Sequence, residues 1–176
     1  MINVLLIGDI VGSPGRGIVK QALPKILRKH AIDYCIANAE NLAGGNGVTR
    51  ELAEDLLSLG VDCLTSGNHI WDKREIIPII GSFPQLLRPA NYPVGQPGKG
   101  YYIGKSRTGV KVATLNLSGR VFMNGSIDDP FTIGRRIAEE LRKETPVILV
   151  DIHAETTSEK TAMGFFMDGL ASVVVG

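Results

Sequence analysis

The sequence that decides the fold reads Val61-Asp62-Cys63-Leu64-Thr65-Ser66-Gly67-Asn68-His69, an apolar run that ends in a flexible, polar turn. Other short apolar runs end in the same way, on residues that bind metals or phosphates. They are residues 4–7 before Gly8-Asp9, residues 34–37 before Glu40-Asn41, residues 112–115 before Asn116, and residues 147–150 before Asp151-Ile152-His153. In open α/β sheets, ligands bind beyond the carboxyl ends of the strands. The pattern therefore predicts one site with the ligand set of a hydrolytic metal centre.

Strand and helix patterns alternate along the chain, which is typical of an α/β protein with a largely parallel sheet. We predict strands at 3–8, 33–38, 61–66, 86–88, 101–105, 110–117, 146–151 and 171–175. We predict helices at 15–29, 49–59, 73–80, 131–143 and 157–166. No repeat, low-complexity segment or linker divides the sequence, so residues 1–176 are expected to form a single domain.

Some residues make these element predictions more specific. Thr49 and Asp129 are suited to be helix N-caps, because their side-chain oxygens accept hydrogen bonds from free backbone amides. Pro24 is expected to kink or divide the first helix, since proline removes a backbone donor there. Phe165 and Phe166 are expected to lie in the core, beneath the last helix.

Composition excludes several classes of function. The chain has 176 residues, of which 44% are hydrophobic and 21% charged, as in ordinary folded proteins. Its formal net charge is +1, so nothing favours a nucleic-acid polymer or a membrane surface as the partner. A small anionic substrate remains compatible, because a bound metal supplies positive charge locally.

The sequence favours a cytoplasmic protein. Cys35 and Cys63 both lie in apolar runs and are expected to be buried free thiols, which suits a reducing compartment. The first residues show no basic segment followed by an apolar one, as a signal peptide would. No apolar stretch is long enough to span a bilayer.

The first two strand ends each carry a carboxylate. Asp9 is interpreted as a metal ligand; the alternative is a side chain that caps the following helix. Glu40 is interpreted as a carboxylate that bridges two metals, and the alternative is a solvated loop residue.

The later strand ends add an amide and two imidazoles. Asn68 offers a carbonyl oxygen to a metal, and His69 beside it is interpreted as a proton donor; the alternative is a turn with a surface histidine. His153 lies on the same strand face as Asp151 by alternation, and the alternative is a histidine satisfied within the core. Together the groups suit manganese, iron or zinc. Two such ions activate water in phosphoryl transfer, and a protonated histidine helps the leaving group to depart.

Longer strings carry a family resemblance. Gly8-Asp9, Gly67-Asn68-His69 and a later strand-end histidine resemble the calcineurin-like metallophosphoesterases, and more closely their bacterial YmdB-like branch. The matching strings are residues 8–16, 38–41, 67–73, 88–93, 128–131 and 151–160. They span essentially the whole sequence.

The resemblance implies an α/β/β/α sandwich of mixed sheets flanked by helices. It also implies a dinuclear site with two divalent metal ions, manganese, iron or zinc, and phosphodiesterase activity toward cyclic nucleotides, including the 2',3'-cyclic kind. Asp9 would bind one metal, Glu40 would bridge both with Asn41 close by, and Asn68 and His153 would bind the second. His69 would be the proton donor.

The sequence departs from the family pattern in three places. Val11 stands where most metallophosphoesterases have a histidine, and Glu40 replaces the usual bridging aspartate. The printed sequence ends at Gly176, where the family continues into a His-x-His pair of metal ligands and a C-terminal segment. The resemblance thus predicts a domain lacking its C-terminal part, which binds metal weakly and turns over poorly or not at all.

Other polar and aromatic residues are candidates for substrate binding. Arg88, Asn91, Asn116 and Arg120 would hold a phosphate, and the alternative is anchoring of loops. Trp71 and Tyr92 would stack on a base, although packing is the simpler role for Trp71.

Rival functions fit the sequence less well. A dinucleotide-binding domain would use Glu40 to hold a ribose, but the glycines at 12, 15 and 17 do not follow G-x-G-x-x-G, and Asn68, His69 and His153 stay unexplained. A serine esterase lacks its nucleophile, because Ile10 follows Gly8-Asp9. A non-catalytic regulatory or scaffold protein of the same fold stays open. An unpaired sheet edge would also allow a homo-oligomer.

Overall fold

The computed structural model describes residues 1–123 and 125–176. Its strands are β1 (Val4–Ile7), β2 (Tyr34–Asn38), β3 (Cys63–Thr65), β4 (Tyr101–Lys105), β5 (Lys111–Ser118), β6 (Ile148–His153) and β7 (Val173–Val175). Its α-helices are α1 (Gly12–Lys29), α2 (Arg50–Ser58), α3 (Pro130–Leu141) and α4 (Thr157–Phe166).

The strands form two sheets. The first sheet has the order β1-β2-β3, and both of its strand pairs are parallel. The second sheet has the order β4-β5-β6-β7; β4 is antiparallel to β5, and the remaining pairs are parallel. The ends of β1, β2 and β3 therefore lie along one edge of the first sheet, as the sequence pattern requires.

Apolar residues of the first sheet alternate between two cores. Tyr34 and Ile36 of β2 point toward the second sheet, where they pack in one cluster with Leu149 of β6. Cys35 packs on the opposite side, in the cluster that contains Leu23 of α1. This alternation is the period of a strand that is buried on both faces.

The second sheet is covered in the same manner. Leu115 of β5 and Val150 of β6 pack against Ala138 of α3 and Met163 of α4. The molecule is thus layered as helices, sheet, sheet and helices. The predicted α/β/β/α sandwich with mixed sheets is confirmed.

Both predicted helix caps are present. The Thr49 side chain accepts a hydrogen bond from the Leu52 amide, and the Asp129 side chain accepts from the amides of Phe131 and Thr132. Pro24 does not divide the first helix, because α1 runs unbroken from Gly12 to Lys29 with Pro24 inside it; a kink at this residue stays a prediction.

Two further element predictions are wrong. Residues 73–80 form no α-helix but two short 3-10 turns, Arg74–Ile76 and Ile80–Ser82. Pro78 lies between them and cannot donate the backbone hydrogen bond that a continuous helix needs. Residues 86–88 form no regular strand; Leu86 and Leu87 make isolated bridges to Leu64 and Lys99.

The expectation that Phe165 and Phe166 lie in the core is also wrong. Their exposed fractions are 81% and 36%, whereas Met163 and Met167 of the same segment are fully buried. The two methionines are spaced by one helical turn, so they share the face that packs on the second sheet. Among the described residues, no helix is long and apolar enough to cross a bilayer.

Candidate metal centre

Three predicted ligands converge where the two sheets meet. Asp9 follows β1, Glu40 follows β2, and His153 ends β6 of the other sheet. One ligand atom of each lies within 4.8 Å of the corresponding atoms of the others. Glu40 is buried, with an exposed fraction of 1%, whereas Asp9 is exposed. The cluster therefore opens to solvent on the side of Asp9.

The turn after β3 completes the cluster. Nε2 of His153 lies 3.1 Å from Oε1 of Glu40 and 3.1 Å from Oδ1 of Asn68. The backbone amide of His69 donates to Oε2 of Glu40 at 3.2 Å. The structure thus brings Glu40, Asn68 and His153 into direct contact and places His69 beside them.

Asn41 supplies the observation that tests whether a cation fits. Its Nδ2 donates to Oδ2 of Asp9 at 3.3 Å and to Oε1 of Glu40 at 3.4 Å. Its Oδ1 is buried and has no hydrogen-bond partner among the described residues. Buried polar atoms normally have partners. An unpartnered amide oxygen beside two carboxylates and an imidazole fits a hard or borderline divalent cation.

The electrostatics of the cluster agree with that donor set. Burial alone would raise the pKa of Glu40, but the hydrogen bonds and charge interactions of His153 and His69 together outweigh it, and the pKa of Glu40 is lowered. Burial alone would lower the pKa of His153, but its hydrogen bond and charge interaction with Glu40 raise that pKa. Since metal ligands bind in their deprotonated forms, a cation held by Glu40 and His153 would replace the hydrogen bond between them.

Position 67 has to be a glycine because two neighbouring side chains lie where a Cβ atom would be. A Cβ atom at this position would lie 2.1 Å from Cδ2 of His153 and 2.5 Å from Oε2 of Glu40. The Tyr92 hydroxyl donates to the Gly67 carbonyl at 3.2 Å. Burial is the main cause that raises the pKa of Tyr92 to about 12. Tyr92 thus holds the turn through its hydroxyl, a contact that the sequence did not suggest.

Asn38 is a site residue that the sequence reasoning missed. Its Oδ1 accepts a hydrogen bond from the Glu40 amide at 3.0 Å, and its Nδ2 lies 3.5 Å from Nδ1 of His153. The side chain is buried at the end of β2, whose other residues are also buried. The sequence did contain a signal, namely a polar residue at the end of a buried strand. Burying a side-chain amide without a hydrogen-bond partner costs free energy, so such a residue is expected to have partners.

Asp151 does not join the ligand cluster but links the two sheets beside it. Its Oδ2 accepts a hydrogen bond from the Thr65 hydroxyl of β3. Burial raises the pKa of Asp151 in spite of that bond. It lines a cavity of about 550 Å³, together with Asp9, Asn38 and His153.

Two of the four predicted phosphate-binding residues hold the loop that follows the first sheet. The Arg88 guanidinium donates to the carbonyls of Pro89 and Pro97 at 2.8 and 3.1 Å. Asn91 donates to the Ser118 carbonyl at 2.8 Å and accepts from the Ser118 amide at 2.8 Å. Their side chains thus anchor backbone, and phosphate binding by either stays a prediction.

The other two differ in exposure. Asn116 is fully buried and accepts a hydrogen bond from the Ser66 amide at 2.8 Å, which joins β5 to the turn after β3. Arg120 is exposed, and its backbone amide donates to the Glu159 carboxylate at 2.9 Å. The guanidinium of Arg120 therefore lies on the surface, and its role in substrate binding stays a prediction.

His69 has an anionic neighbour. Its Nδ1 lies 2.7 Å from Oδ2 of Asp72, and 40% of the His69 side chain is exposed. The imidazole is thus held from one side and accessible from the other, as a proton donor needs to be.

Comparison with known proteins yields a family match and close relatives. A family model described as YmdB-like protein matches residues 5–176. A Bacillus subtilis protein described as a 2',3'-cyclic-nucleotide 2'-phosphodiesterase is 47% identical over 175 residues, which cover 99% of this chain and 66% of that protein.

Two crystal structures share the fold. One is a hypothetical protein from Thermus thermophilus, with a TM-score of 0.87 and 40% identity; the match covers 97% of this chain and 65% of that one. The other is described as a novel phosphatase from Mycoplasma pneumoniae, with a TM-score of 0.88 and 30% identity; the match covers 98% and 62%. The chain thus spans slightly less than two thirds of the length of these relatives.

Proposed function

This chain belongs to the YmdB-like family, and from that premise we propose that it is a metal-dependent phosphodiesterase that hydrolyses 2',3'-cyclic nucleotides. The observation that carries the proposal is the convergence of Asp9, Glu40 and His153 beside the unpartnered Oδ1 of Asn41. The substrate class comes from the Bacillus subtilis relative, whose description names a 2',3'-cyclic-nucleotide 2'-phosphodiesterase.

The proposed cofactors are two divalent cations, manganese, iron or zinc. The residues that would hold them are Asp9, Glu40, Asn41, Asn68 and His153. When bound, such ions lower the pKa of water and neutralise charge on phosphoryl oxygens. The oxygen-rich donor set with one imidazole accepts each of these metals.

The chain's own residues prepare the site for that chemistry. Asn38 holds the Glu40 amide and approaches the His153 ring, so it fixes two ligands at once. Gly67 keeps space for the same two side chains by the lack of a Cβ atom. Such fixed surroundings reduce the reorganisation that binding requires.

His69 is proposed to donate the proton to the departing oxygen. A ribose oxygen leaves as an alkoxide, which is a poor leaving group unless it is protonated. His69 is partly exposed, and its backbone amide donates to Glu40, so the residue lies beside the ligand cluster. A cavity of about 550 Å³, lined by Asp9, Asn38 and His153 but not by His69, is within the usual range for small-molecule sites, roughly 300–1,000 Å³.

The decisive test is hydrolysis of 2',3'-cyclic AMP by purified protein that has been stripped of metal and reloaded with manganese, iron or zinc. Enzyme in excess over substrate detects even slow turnover. We expect a 3'-nucleotide as product, and loss of hydrolysis in Glu40→Gln. The matched control is Glu139→Gln, which alters an exposed carboxylate on α3. No product with any of the three metals would contradict the proposal, as would equal rates for the two variants.

Location and assembly belong to the same proposal. We place the protein in the cytoplasm because Cys35 and Cys63 are both free and buried, which suits a reducing compartment. Burial raises the pKa of the Cys35 thiol to about 12, so this thiol is unreactive. Self-association through a sheet edge stays a prediction; β4 and β7 are the edges of the second sheet.

A further inference from the structure

The contact between His69 and Asp72 is the shortest imidazole–carboxylate contact among the described residues. Nδ1 of His69 lies 2.7 Å from Oδ2 of Asp72, compared with 3.1 Å for His153 and Glu40. The backbone reinforces it, because the Asp72 amide donates to the His69 carbonyl at 3.1 Å. The carboxylate is therefore held in the turn that begins at His69.

A second segment fixes the same carboxylate oxygen. Nδ2 of Asn46 donates to Oδ2 of Asp72 at 3.1 Å. Asn46 precedes Gly47, which has a φ of +79°, and a Cβ there would lie 2.6 Å from Cγ of Lys73. The glycine-rich turn is thus packed directly on the segment that carries Asp72. Neither Asn46 nor Asp72 was assigned a role from the sequence.

We propose that Asp72, held by Asn46, is a positioning residue that fixes the imidazole of His69 for proton donation to the leaving oxygen. A carboxylate that accepts the Nδ1 proton selects one tautomer and one ring orientation. In the protonated ring Nε2 also carries a proton, and this is the proton that passes to the leaving oxygen, while Nδ1–H stays hydrogen-bonded to Asp72. The inference rests on the proposed function and names the residues that orient its proton donor.

The charge of Asp72 agrees with this arrangement. The hydrogen bond from His69 is the main cause that lowers the pKa of Asp72, and the bond from Asn46 acts in the same direction. The carboxylate thus stays ionised, and an ionised acceptor favours the form of His69 that carries a proton on Nδ1.

Leaving-group dependence separates positioning from general damage. Ribose oxygen in 2',3'-cyclic AMP needs protonation to depart, whereas p-nitrophenolate from bis(p-nitrophenyl) phosphate does not. We expect Asp72→Asn to lower kcat for the cyclic nucleotide by on the order of 10²-fold, within the range of general acid catalysis, with KM little changed. Hydrolysis of bis(p-nitrophenyl) phosphate should change little. Asn46→Ala should show the same selectivity with a smaller loss, and the control Asp168→Asn, in an exposed carboxylate, should show none.

A spectroscopic measurement tests the same inference without catalysis. The chain has three histidines, so ring nitrogen signals in NMR spectra of the metal-free protein are readily assigned by substitution. In the unsubstituted protein we expect the His69 proton on Nδ1, and in Asp72→Asn we expect this preference to be lost. Circular dichroism confirms that each variant is folded.

The outcomes distinguish the two proposals. If the unsubstituted protein hydrolyses neither diester, the proposed function fails, and the His69 spectrum alone decides the inference. If Asp72→Asn lowers both hydrolysis rates equally, or leaves the His69 tautomer unchanged, Asp72 does not position His69 and the inference is overturned.

Discussion

The Oε1 atom of Glu40 and the Nε2 atom of His153 lie 3.1 Å apart, although Glu40 follows a strand of the first sheet and His153 ends a strand of the second. The candidate site is therefore formed by residues from both sheets, and neither sheet supplies it alone. Anything that shifts one sheet against the other separates the ligands, so the packing between the sheets and the chemistry of the site are coupled.

Removal of the Glu40 charge should weaken metal binding. We expect Glu40→Gln to lower the affinity for Mn²⁺ by at least about tenfold, since even residues outside the ligand set change metal affinity by roughly 10–100-fold. Isothermal titration calorimetry measures the change, with Glu139→Gln as the exposed control. Equal affinities in the two variants would remove Glu40 from the ligand set.

Substitution of Gly67 should damage the site by overpacking. In Gly67→Ala the new Cβ would lie 2.1 Å from the His153 ring, so the ring has to move. We expect a loss of about 1–3 kcal/mol in the free energy of unfolding, together with loss of Mn²⁺ binding.

Gly17 offers the matched control for that substitution. It lies in the interior of α1, and a Cβ there meets no atom within 4 Å. Gly17→Ala should therefore stabilise the protein by about 0.5–1 kcal/mol and leave binding unchanged. A Gly67→Ala variant that binds Mn²⁺ like the unsubstituted protein would show that the approach to His153 is not essential.

Tyr92→Phe discriminates a supporting role from base stacking. The change removes the hydrogen bond to the Gly67 carbonyl but keeps the ring, and the Ile70 amide still donates to that carbonyl at 3.4 Å. We expect a loss of about 1 kcal/mol in urea-induced unfolding. Tyr92→Leu, which also removes the ring, should leave the KM for cyclic nucleotides unchanged. An increase in KM with Tyr92→Leu but not with Tyr92→Phe would indicate stacking on the base instead.

Arg88 and Arg120 should behave in opposite ways. Arg88→Ala removes donors from backbone carbonyls in the loop and should lower the free energy of unfolding by about 1–3 kcal/mol. The exposed side chain of Arg120 should be dispensable for stability, so Arg120→Ala should leave the unfolding temperature unchanged and raise only the KM for the anionic substrate. Thermal unfolding and steady-state kinetics on both variants measure this. A stable Arg88→Ala variant with a raised KM would assign the phosphate to Arg88.

Stability should depend on pH through the cap of α3. The Thr132 hydroxyl, followed by the backbone amides, lowers the pKa of Asp129 below its ordinary 3.8. A lowered pKa in the folded state means that the stabilisation is complete above pH 3.8 and is lost as pH falls through the folded-state pKa. Asp129→Ala should therefore cost about 0.5–2 kcal/mol at neutral pH, and less in acid.

Thr49→Ala is the control for that pH dependence, because it removes a cap that does not titrate. Its cost, measured by urea-induced unfolding at several pH values, should stay constant. If the cost of Asp129→Ala were also constant into acid, ionisation of Asp129 would not contribute to the cap.

Local sequence signals predicted the elements well where they depend on neighbouring residues. The caps at Thr49 and Asp129 and the strands of both sheets follow from composition and periodicity within short windows. The prediction of an α-helix at 73–80 was wrong. Ile76 and Ile80 have helical spacing, but Pro78 between them interrupts the helix. The prediction that Phe165 is buried was wrong for a different reason. The periodicity of apolar residues within α4 does not show which face of the helix packs on the sheet.

The sequence by itself determined an α/β protein with a largely parallel sheet, the positions of the polar turns and the types of group available for a metal, because these depend on hydrophobic pattern and on residue chemistry; the two-layer sandwich came from the family resemblance. Only the tertiary structure decided which groups meet. Asn38 touches both Glu40 and His153, and Asp72 is shared between His69 and Asn46, because two sheets and two turns pack together through contacts distant in the chain. Such contacts are set by the three-dimensional packing, which no local pattern encodes.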